Sequence, residues 1–425
     1  MASSSRRAVL TGIGLVTPLG FDPDSFWEAL RAGKSGVRPI SNFDASALPV
    51  RIGGEVRGFD ARDYVDKKGR KQLKFMVPTI QFAVAGAQLA MNDGKVDTER
   101  LDPSRFGVAF GAGTVPSDSI DLGTAAQIST NGHPGQVDMK KWGAEGIPLI
   151  SPMWMLNHVP NMLASHVSIL QNAQGPNNSI TQTDVAALLA IGEGVRVLRR
   201  DKADIMLVGG ADAKINPITM IRQCLFAPLS RRNDAPEKAS RPFERQRDGL
   251  VLGEGAGVLV LEDLEHARRR GARIYGEVVG FGAAFDARRS GSGLARAVRV
   301  AVAQAGIGPQ DLDHINAQGY SVPDRDVWEA RGLHEVFGRS LPPVFAGKSY
   351  LGNLGAASAA TELAASLLAL THGLLPATLN YDLPDPACPL PVAREPRPVR
   401  KPYFLKVSFT ELGQCAAVVC RRFAD

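Results

Sequence analysis

Cysteine is scarce in this chain of 425 residues. Its four cysteines, Cys224, Cys388, Cys415 and Cys420, stand at irregular spacings and form no Cys-x-x-Cys pair. That argues against a disulfide framework or a zinc site and fits reduced thiols in a reducing compartment. Histidine is also thin, with seven residues and no His-Glu-x-x-His or comparable ligand spacing. Neither a metal nor a cofactor is expected. No apolar run approaches the ~20 residues that a membrane helix needs. The start, Met1-Ala-Ser-Ser-Ser-Arg-Arg7, leads into a stretch that glycine, threonine and Pro18 interrupt too early for a signal-peptide core. The expectation is a cytoplasmic protein. Nucleic-acid signatures are missing too: there is no RNP, zinc-finger or basic-zipper pattern.

What is present is an ordinary globular balance, 44% hydrophobic and 22% charged, in a length that suits one large or two fused domains. The net charge of +6 is scattered, and its densest cluster is Lys67-Lys68-Gly69-Arg70-Lys71 with Lys74 close behind. A solvated loop is the plain reading of that cluster. The other is electrostatic docking of an acidic partner.

Apolar strand-like runs alternate with longer helical stretches rich in small residues, which predicts an α/β fold. Strands are expected at 8–12, 107–110, 205–209, 257–261, 275–280, 314–317, 344–346, 404–409 and 416–420. Helices are expected at 77–91, 185–200, 294–305 and 356–371, where apolar or small residues recur at three- and four-residue intervals. The order helix 185–200, strand 205–209, strand 257–261 is echoed by helix 356–371, strand 404–409, strand 416–420. A duplicated α/β unit joined around residues 262–274 would produce that echo. The proline-rich stretch 376–402 reads as a surface loop. Residues 118–146 carry no assignable pattern.

The longest motif is Ser240-Arg-Pro-Phe-Glu-Arg-Gln-Arg-Asp-Gly249, followed by Gly253-Glu-Gly-Ala-Gly257 and Val258-Leu-Val-Leu-Glu262. With the opening Val9-Leu-Thr-Gly-Ile-Gly-Leu-Val-Thr-Pro-Leu-Gly20, with Pro160-Asn-Met162 through Gly175-Pro-Asn-Asn178, and with Gly209-Gly-Ala211, it resembles the β-ketoacyl-acyl-carrier-protein synthase family. The resemblance runs from about Arg7 to Arg422. It implies a thiolase fold: two similar α/β halves, here 1–262 and 263–425, in a five-layered α-β-α-β-α sandwich assembled as a dimer. It also implies fatty-acid or polyketide chain extension, in which a cysteine carries the acyl group. Two histidines then assist decarboxylation of malonyl-carrier protein and hold the enolate oxygen. A thiolate can both accept and release a thioester at neutral pH, and the oxyanion needs preorganised donors.

The residues that should do this chemistry are replaced. In Ser179-Ile-Thr-Gln-Thr-Asp184-Val-Ala-Ala-Leu188 the cysteine's place falls on Asp184, anchored by Gly175-Pro-Asn-Asn178 before it and Ile191-Gly192 after it. A carboxylate cannot hold a stable acyl thioester. Asp184 is expected to cap or charge the first turn of the following helix, with a role as catalytic acid, base or transient nucleophile as the alternative. In Ala317-Gln318-Gly-Tyr-Ser-Val-Pro323-Asp-Arg-Asp326 the first histidine's place holds Gln318, an amide that cannot carry a proton through a cycle. His314, four residues back along a strand, is ~13 Å away and no substitute. In Lys348-Ser-Tyr-Leu-Gly352-Asn353-Leu-Gly355-Ala-Ala357 the second histidine's place holds Asn353, which also suits a helix N-cap. Lys348 and Glu329 remain and are expected to form a scaffold ion pair. The gate loop reads Ser408-Phe409-Thr-Glu411-Leu-Gly413-Gln, with Glu411 where a gating phenylalanine would be and two glycines gone. Loss of glycine removes freedom at positive φ.

Four departures in stretches that should converge argue that condensation is lost while the scaffold persists. The resemblance is then to the chain-length factor, the second ketosynthase subunit of type II polyketide synthases, which the run Val322-Pro-x-x-Asp326 also suits. Those subunits usually carry glutamine, not aspartate, in the cysteine's place. The implied partners are a cysteine-bearing β-ketoacyl synthase and an acyl carrier protein, docked at Lys67, Lys68, Arg70 and Lys71. Chain length would be set by cavity residues within 114–163.

Overall fold

Each apolar run bounded by glycine or turn residues becomes a strand, usually longer than its most hydrophobic segment. In the computed structural model, which describes residues 6–67, 69–115, 119–133 and 135–424, the strands of the main sheet are β1 (Ala8–Val16), β2 (Phe106–Ala112), β3 (Asn177–Ile180), β4 (Ile205–Asp212), β5 (Gly255–Asp263), β6 (Gly276–Phe285), β7 (Leu312–Asn316), β8 (Val344–Phe345), β9 (Tyr403–Phe409) and β10 (Gln414–Arg421). All nine expected strands are among them. The helices that matter here are α1 (Pro78–Asp93), α2 (Ala186–Arg199), α3 (Pro217–Phe226), α4 (Ser292–Ala305), α5 (Pro323–Phe337) and α6 (Ser358–His372).

The strand order is β8-β7-β9-β10-β6-β1-β5-β4-β2-β3. In the first half β2 runs parallel to β3 and β4, β5 is antiparallel to β4, and β1 is antiparallel to β5. In the second half β7 runs parallel to β8 and β9, β10 is antiparallel to β9, and β6 is antiparallel to β10. The two patterns are identical, so the duplication is real. Among the described residues, the strands of the two halves pair where Ala8–Leu10 meets Gly276–Val278. Helix α1 covers β1 and β5 on one outer side, and α4 covers β6 and β10 on the other. Between the halves lie α2 and α6, which contact each other and the strands. This is the five-layered thiolase arrangement.

A helix trapped between two sheets is buried all round and needs small residues. Helix α6 is buried from Ser358 to Leu370. Its approach to the sheet is close: a Cβ on Gly257 would sit 2.5 Å from Thr361 N, and one on Gly210 would sit 2.4 Å from Ala356 O. These contacts set the loops before α2 and α6 against each other.

Three elements differ from expectation. Strand β3, Asn177-Asn-Ser-Ile180, lacks apolar alternation and lies at the sheet edge. Residues 119–129 and 139–149 are largely helical. The proline-rich stretch is no mere surface loop, because Cys388, Leu390 and Val392 are buried in the second half's core.

The expected ion pair between Lys348 and Glu329 does not form. Lys348 Nζ instead lies 2.6 Å from Glu362 Oε1, and Lys406 pairs with the other oxygen of the same carboxylate. Glu329 accepts from the backbone N–H groups of Gln318 (2.7 Å) and Gly319 (2.8 Å). The reason is geometric: Glu362 rises from α6 between Lys348 and β9, while Glu329 on α5 faces the turn after β7. Burial pushes Lys406 down to about 8 against the pull of Glu362, and pushes Glu329 up to about 7 against its two backbone donors. Removing the shared anion takes from two buried ammonium groups the carboxylate that both of them contact. Glu362→Gln should therefore destabilise the fold by about 3–5 kcal/mol, measured as a lower denaturant midpoint; an unchanged midpoint would show that Glu362 is not the common anchor.

Candidate functional site

Four chain segments converge beside the N-terminus of α2. A short 3₁₀ turn, Thr183–Val185, carries Asp184 and begins with Thr183 at φ +44°. The turn after β7 carries Gln318 and Tyr320, the segment before α6 carries Asn353 and Gly355, and the end of β9 supplies Ser408 and Phe409. The segments of Asp184, Gln318, Asn353 and the gate loop, expected from their motifs to converge, are brought together in the structure. Asp184 O and Gln318 Oε1 both lie within hydrogen-bond reach of Ser408 Oγ, at 2.9 and 2.8 Å. Gln318 is fully buried, and its Nε2 has no hydrogen-bond partner among the described residues.

Asp184 does not cap α2. The N-cap position is Val185, without a side-chain cap bond, and the Asp184 carboxylate turns away from the helix. Its Oδ2 lies 2.8 Å from the Tyr320 hydroxyl, which also lies 2.6 Å from the carbonyl oxygen of Phe409. A phenol has one proton to donate, so these two acceptors share it. On the other side, Lys214 Nζ stands 3.9 Å from Asp184 Oδ1 and 3.7 Å from Asp212 Oδ2. Lys214 follows β4, two residues beyond the buried Asp212. Gly355 makes room for it: at φ +57°, a Cβ there would lie 2.6 Å from Lys214 Nζ and 2.1 Å from Asp212 Oδ2.

The electrostatics follow from that placement. Burial opposes the charged form of Asp184, but Lys214, Lys348 and the Tyr320 hydroxyl outweigh it and hold the carboxyl below its ordinary value. Burial also dominates at Asp212, where Lys214 and the Ala356 N–H offset it only in part, so that carboxyl is raised. For Lys214, burial is overcome by the two aspartates, which raise its ammonium. Tyr320 is pushed well above the usual phenol value by burial and by the Asp184 charge. The site therefore holds an ionised carboxylate clamped by a lysine and a neutral tyrosine.

Asn353 is not the N-cap expected of it: the N-cap of α6 is Ala357, without a side-chain cap bond, and Asn353 lies four residues earlier. Its Oδ1 accepts from Gly355 N (3.2 Å) and Ser358 Oγ (2.9 Å) at the start of α6. Phe409 is buried, with its ring edge-on to Tyr320 at 5.2 Å and tilted on Trp328 at 4.7 Å between centroids. Glu411 is exposed and pairs with Arg325, whose guanidinium lies 5.2 Å from the centroid of the Tyr320 ring. Gly413 keeps a positive φ of +107°, where a Cβ would meet Asp286 O at 2.4 Å. Lys67, Arg70 and Lys71 are exposed, the last two in a separate 3₁₀ turn, Gly69–Phe75; Lys68 lies outside the described residues.

No imidazole or thiol serves this place. His314 is buried in β7 between Asp313 (3.1 Å) and Ser366 (2.9 Å) and stacks on Phe404. Cys388 and Cys415 are both pushed up to about 12 by burial, outside the nucleophilic range. Among the described residues no cluster is placed to hold a metal ion, and no helix is long and apolar enough to cross a membrane. Sequence reasoning missed Lys214, Asp212, Ser408's bridging role and Tyr320. The signal available was a lysine placed directly after a fully buried strand, and a tyrosine within the Gln318 motif.

Comparison with known proteins agrees with the scaffold. Residues 5–267 match the family model "Beta-ketoacyl synthase, N-terminal domain", and residues 275–382 match "Beta-ketoacyl synthase, C-terminal domain". The chain is 36% identical over 429 residues to 3-oxoacyl-[acyl-carrier-protein] synthase 2 of Coxiella burnetii, covering 99% of each. It is 36% identical over 403 residues to an oxytetracycline polyketide putative beta-ketoacyl synthase 1 of Streptomyces rimosus, covering 92% of each. Among solved structures, the ishigamide ketosynthase/chain length factor superposes with a TM-score of 0.87 at 28% identity, covering 99% of this chain and 100% of that one. A type II PKS acyl-carrier protein in complex with its ketosynthase gives a TM-score of 0.83 at 28% identity, covering 99% and 100%. With its two-halved sheet, its convergent loops and these whole-length matches, the chain belongs to the β-ketoacyl synthase family and has its thiolase-like fold.

Proposed function

We propose that this protein is a non-condensing subunit of chain-length-factor type, which pairs with a cysteine-bearing β-ketoacyl synthase during fatty-acid or polyketide chain elongation on an acyl carrier protein. The observation that carries this reading is the clamp on Asp184. An acyl group on a carboxylate is a mixed anhydride, open to hydrolysis, and here the carboxylate is already tied to Lys214 and Tyr320. Gln318 and Asn353 are amides and cannot shuttle a proton, and the Lys214 ammonium and the Tyr320 hydroxyl beside Asp184 are both raised above their ordinary values, so neither gives up its proton readily. A carboxyl held below its ordinary value is also a poor general acid at neutral pH.

A partner is supported by what the surface exposes. Met139, Ile147, Leu149 and Met155 are more than half exposed in the segment after β2, and Leu225 and Phe226 are 70% and 82% exposed at the end of α3. Strand β3 ends the sheet with one edge unpaired within the chain. Exposed large apolar side chains and an open strand edge are features of interfaces. The exposed Lys67, Arg70, Lys71 and Lys74 offer a positive face for an acidic carrier protein. The similarity to the ishigamide ketosynthase/chain length factor fits the same reading.

Purified alone, the protein should not extend an acyl primer with malonyl-carrier protein; co-expressed with a cysteine-bearing ketosynthase, it should elute as a one-to-one complex by size exclusion with mass detection. A homodimer indifferent to that partner, or an activity of the isolated protein abolished by Asp184→Asn, would contradict the assignment. Lys214→Met should destabilise the fold by about 3–5 kcal/mol, because it strands buried carboxylates, and adding Asp184→Asn should recover a large part of that loss. Additive losses in this double-mutant cycle would mean that the two side chains do not act as a pair.

A further inference from the structure

We propose that a cleft on the far side of the Lys214 segment is a second binding site, for an uncharged aliphatic molecule bearing a carbonyl or hydroxyl oxygen. The cleft has a volume of about 360 Å³, at the lower end of ligand-sized cavities. Its walls include Val56, Phe59, Val77, Phe82, Ile215 and Pro217. Ala213 and Ile215 line it, while Lys214 between them turns to Asp184. Side chains alternate along extended chain, so the cleft is distinct from the Asp184 site.

In this apolar setting one buried polar group lacks a partner and a second is held only by long bonds. Thr79 is 2% exposed and its Oγ1 has no hydrogen-bond partner among the described residues. Glu254, 5% exposed, accepts only long bonds from Val56 N (3.2 Å) and Ile215 N (3.3 Å) and has no ion pair among the described residues. The other polar residues of the wall are committed, because Asn42 Nδ2 donates to Ile215 O and Gln81 Nε2 donates to Met76 O, each at 2.8 Å. A buried polar group left unpaired is destabilising, so a ligand that pairs with Thr79 Oγ1 relieves that loss.

The chemistry of Glu254 selects the ligand. Burial, with the nearby acids Glu55 and Asp212, pushes its carboxyl up to about 8. Glu55 is itself paired with Arg57, and Asp212 with Lys214, so neither cation is free to neutralise Glu254. At neutral pH Glu254 is therefore mostly a carboxylic acid with a proton to donate. The fitting partner is a neutral oxygen acceptor on an apolar body. An anion would face Glu55 and Asp212.

The test is titration calorimetry of the full chain with octan-2-one, octanoate and octylamine. Saturable binding of octan-2-one is expected at pH 6.5, weakening at least several-fold by pH 9.5 as Glu254 ionises. Glu254→Gln, uncharged at both values, should bind with the pH dependence gone. Thr79→Val, which keeps side-chain volume and removes the unpaired hydroxyl, should weaken binding several-fold, and Val77→Trp, with unfolding temperature checked, should block it. No saturable octan-2-one binding by the unaltered protein, binding undiminished in Val77→Trp, or tighter binding of octanoate or octylamine would overturn the proposal.

Discussion

A carboxylate shut away from water must be answered by positive charge or lose its own, and Asp184 is answered by Lys214. The rest of the site is arranged around that requirement. Lys214 reaches Asp184 only because Gly355 has no side chain to obstruct it. The lysine in turn lies beside Asp212, and the Tyr320 hydroxyl completes the shell from the opposite side. Within this cluster Asp184 Oδ2 is held by the Tyr320 hydroxyl, while Oδ1 has the Lys214 ammonium at 3.9 Å and no hydrogen-bond partner among the described residues. A buried pair of this kind adds little net stability over a well-packed apolar substitute, yet is damaging to break. It therefore resists drift back toward an open site by single substitutions.

The scaffold beneath has been kept at comparable expense. Glu362 on α6 holds Lys348 and Lys406 together in the fully buried layer between the sheet halves, and Glu329 holds the turn that carries Gln318 through two backbone N–H groups. These contacts fix the loops that a condensing enzyme would use. Their persistence around amide side chains fits a protein in which pocket shape is still required while proton transfer is not. Phe409, packed between Tyr320 and Trp328, and Glu411, tied to Arg325, fasten the gate loop.

Most of the fold was legible in the sequence because its strands are short apolar runs bounded by glycine and its central helices are rich in small residues. Strand β3 was not, since Asn177-Asn-Ser-Ile180 has no apolar alternation and owes its conformation to pairing with β2. Helix α5 was passed over although Pro323 at its first turn, with Asp324 and Asp326, is a start signal. The expected pairing of Lys348 with Glu329 failed for a different reason. Charge complementarity in sequence does not say which of several buried acids lies within reach.

The sequence by itself determined which residue types the converging segments carry, Asp184, Gln318 and Asn353 with no thiol or imidazole among them, since those are matters of residue identity. Only the tertiary structure decided how those residues are held. Whether Asp184 caps a helix, stays protonated or forms an ion pair depends on which cation and which hydroxyl the fold carries to it from β4 and from the turn after β7. Desolvation and distance, unlike identity, exist only once those segments have been brought together.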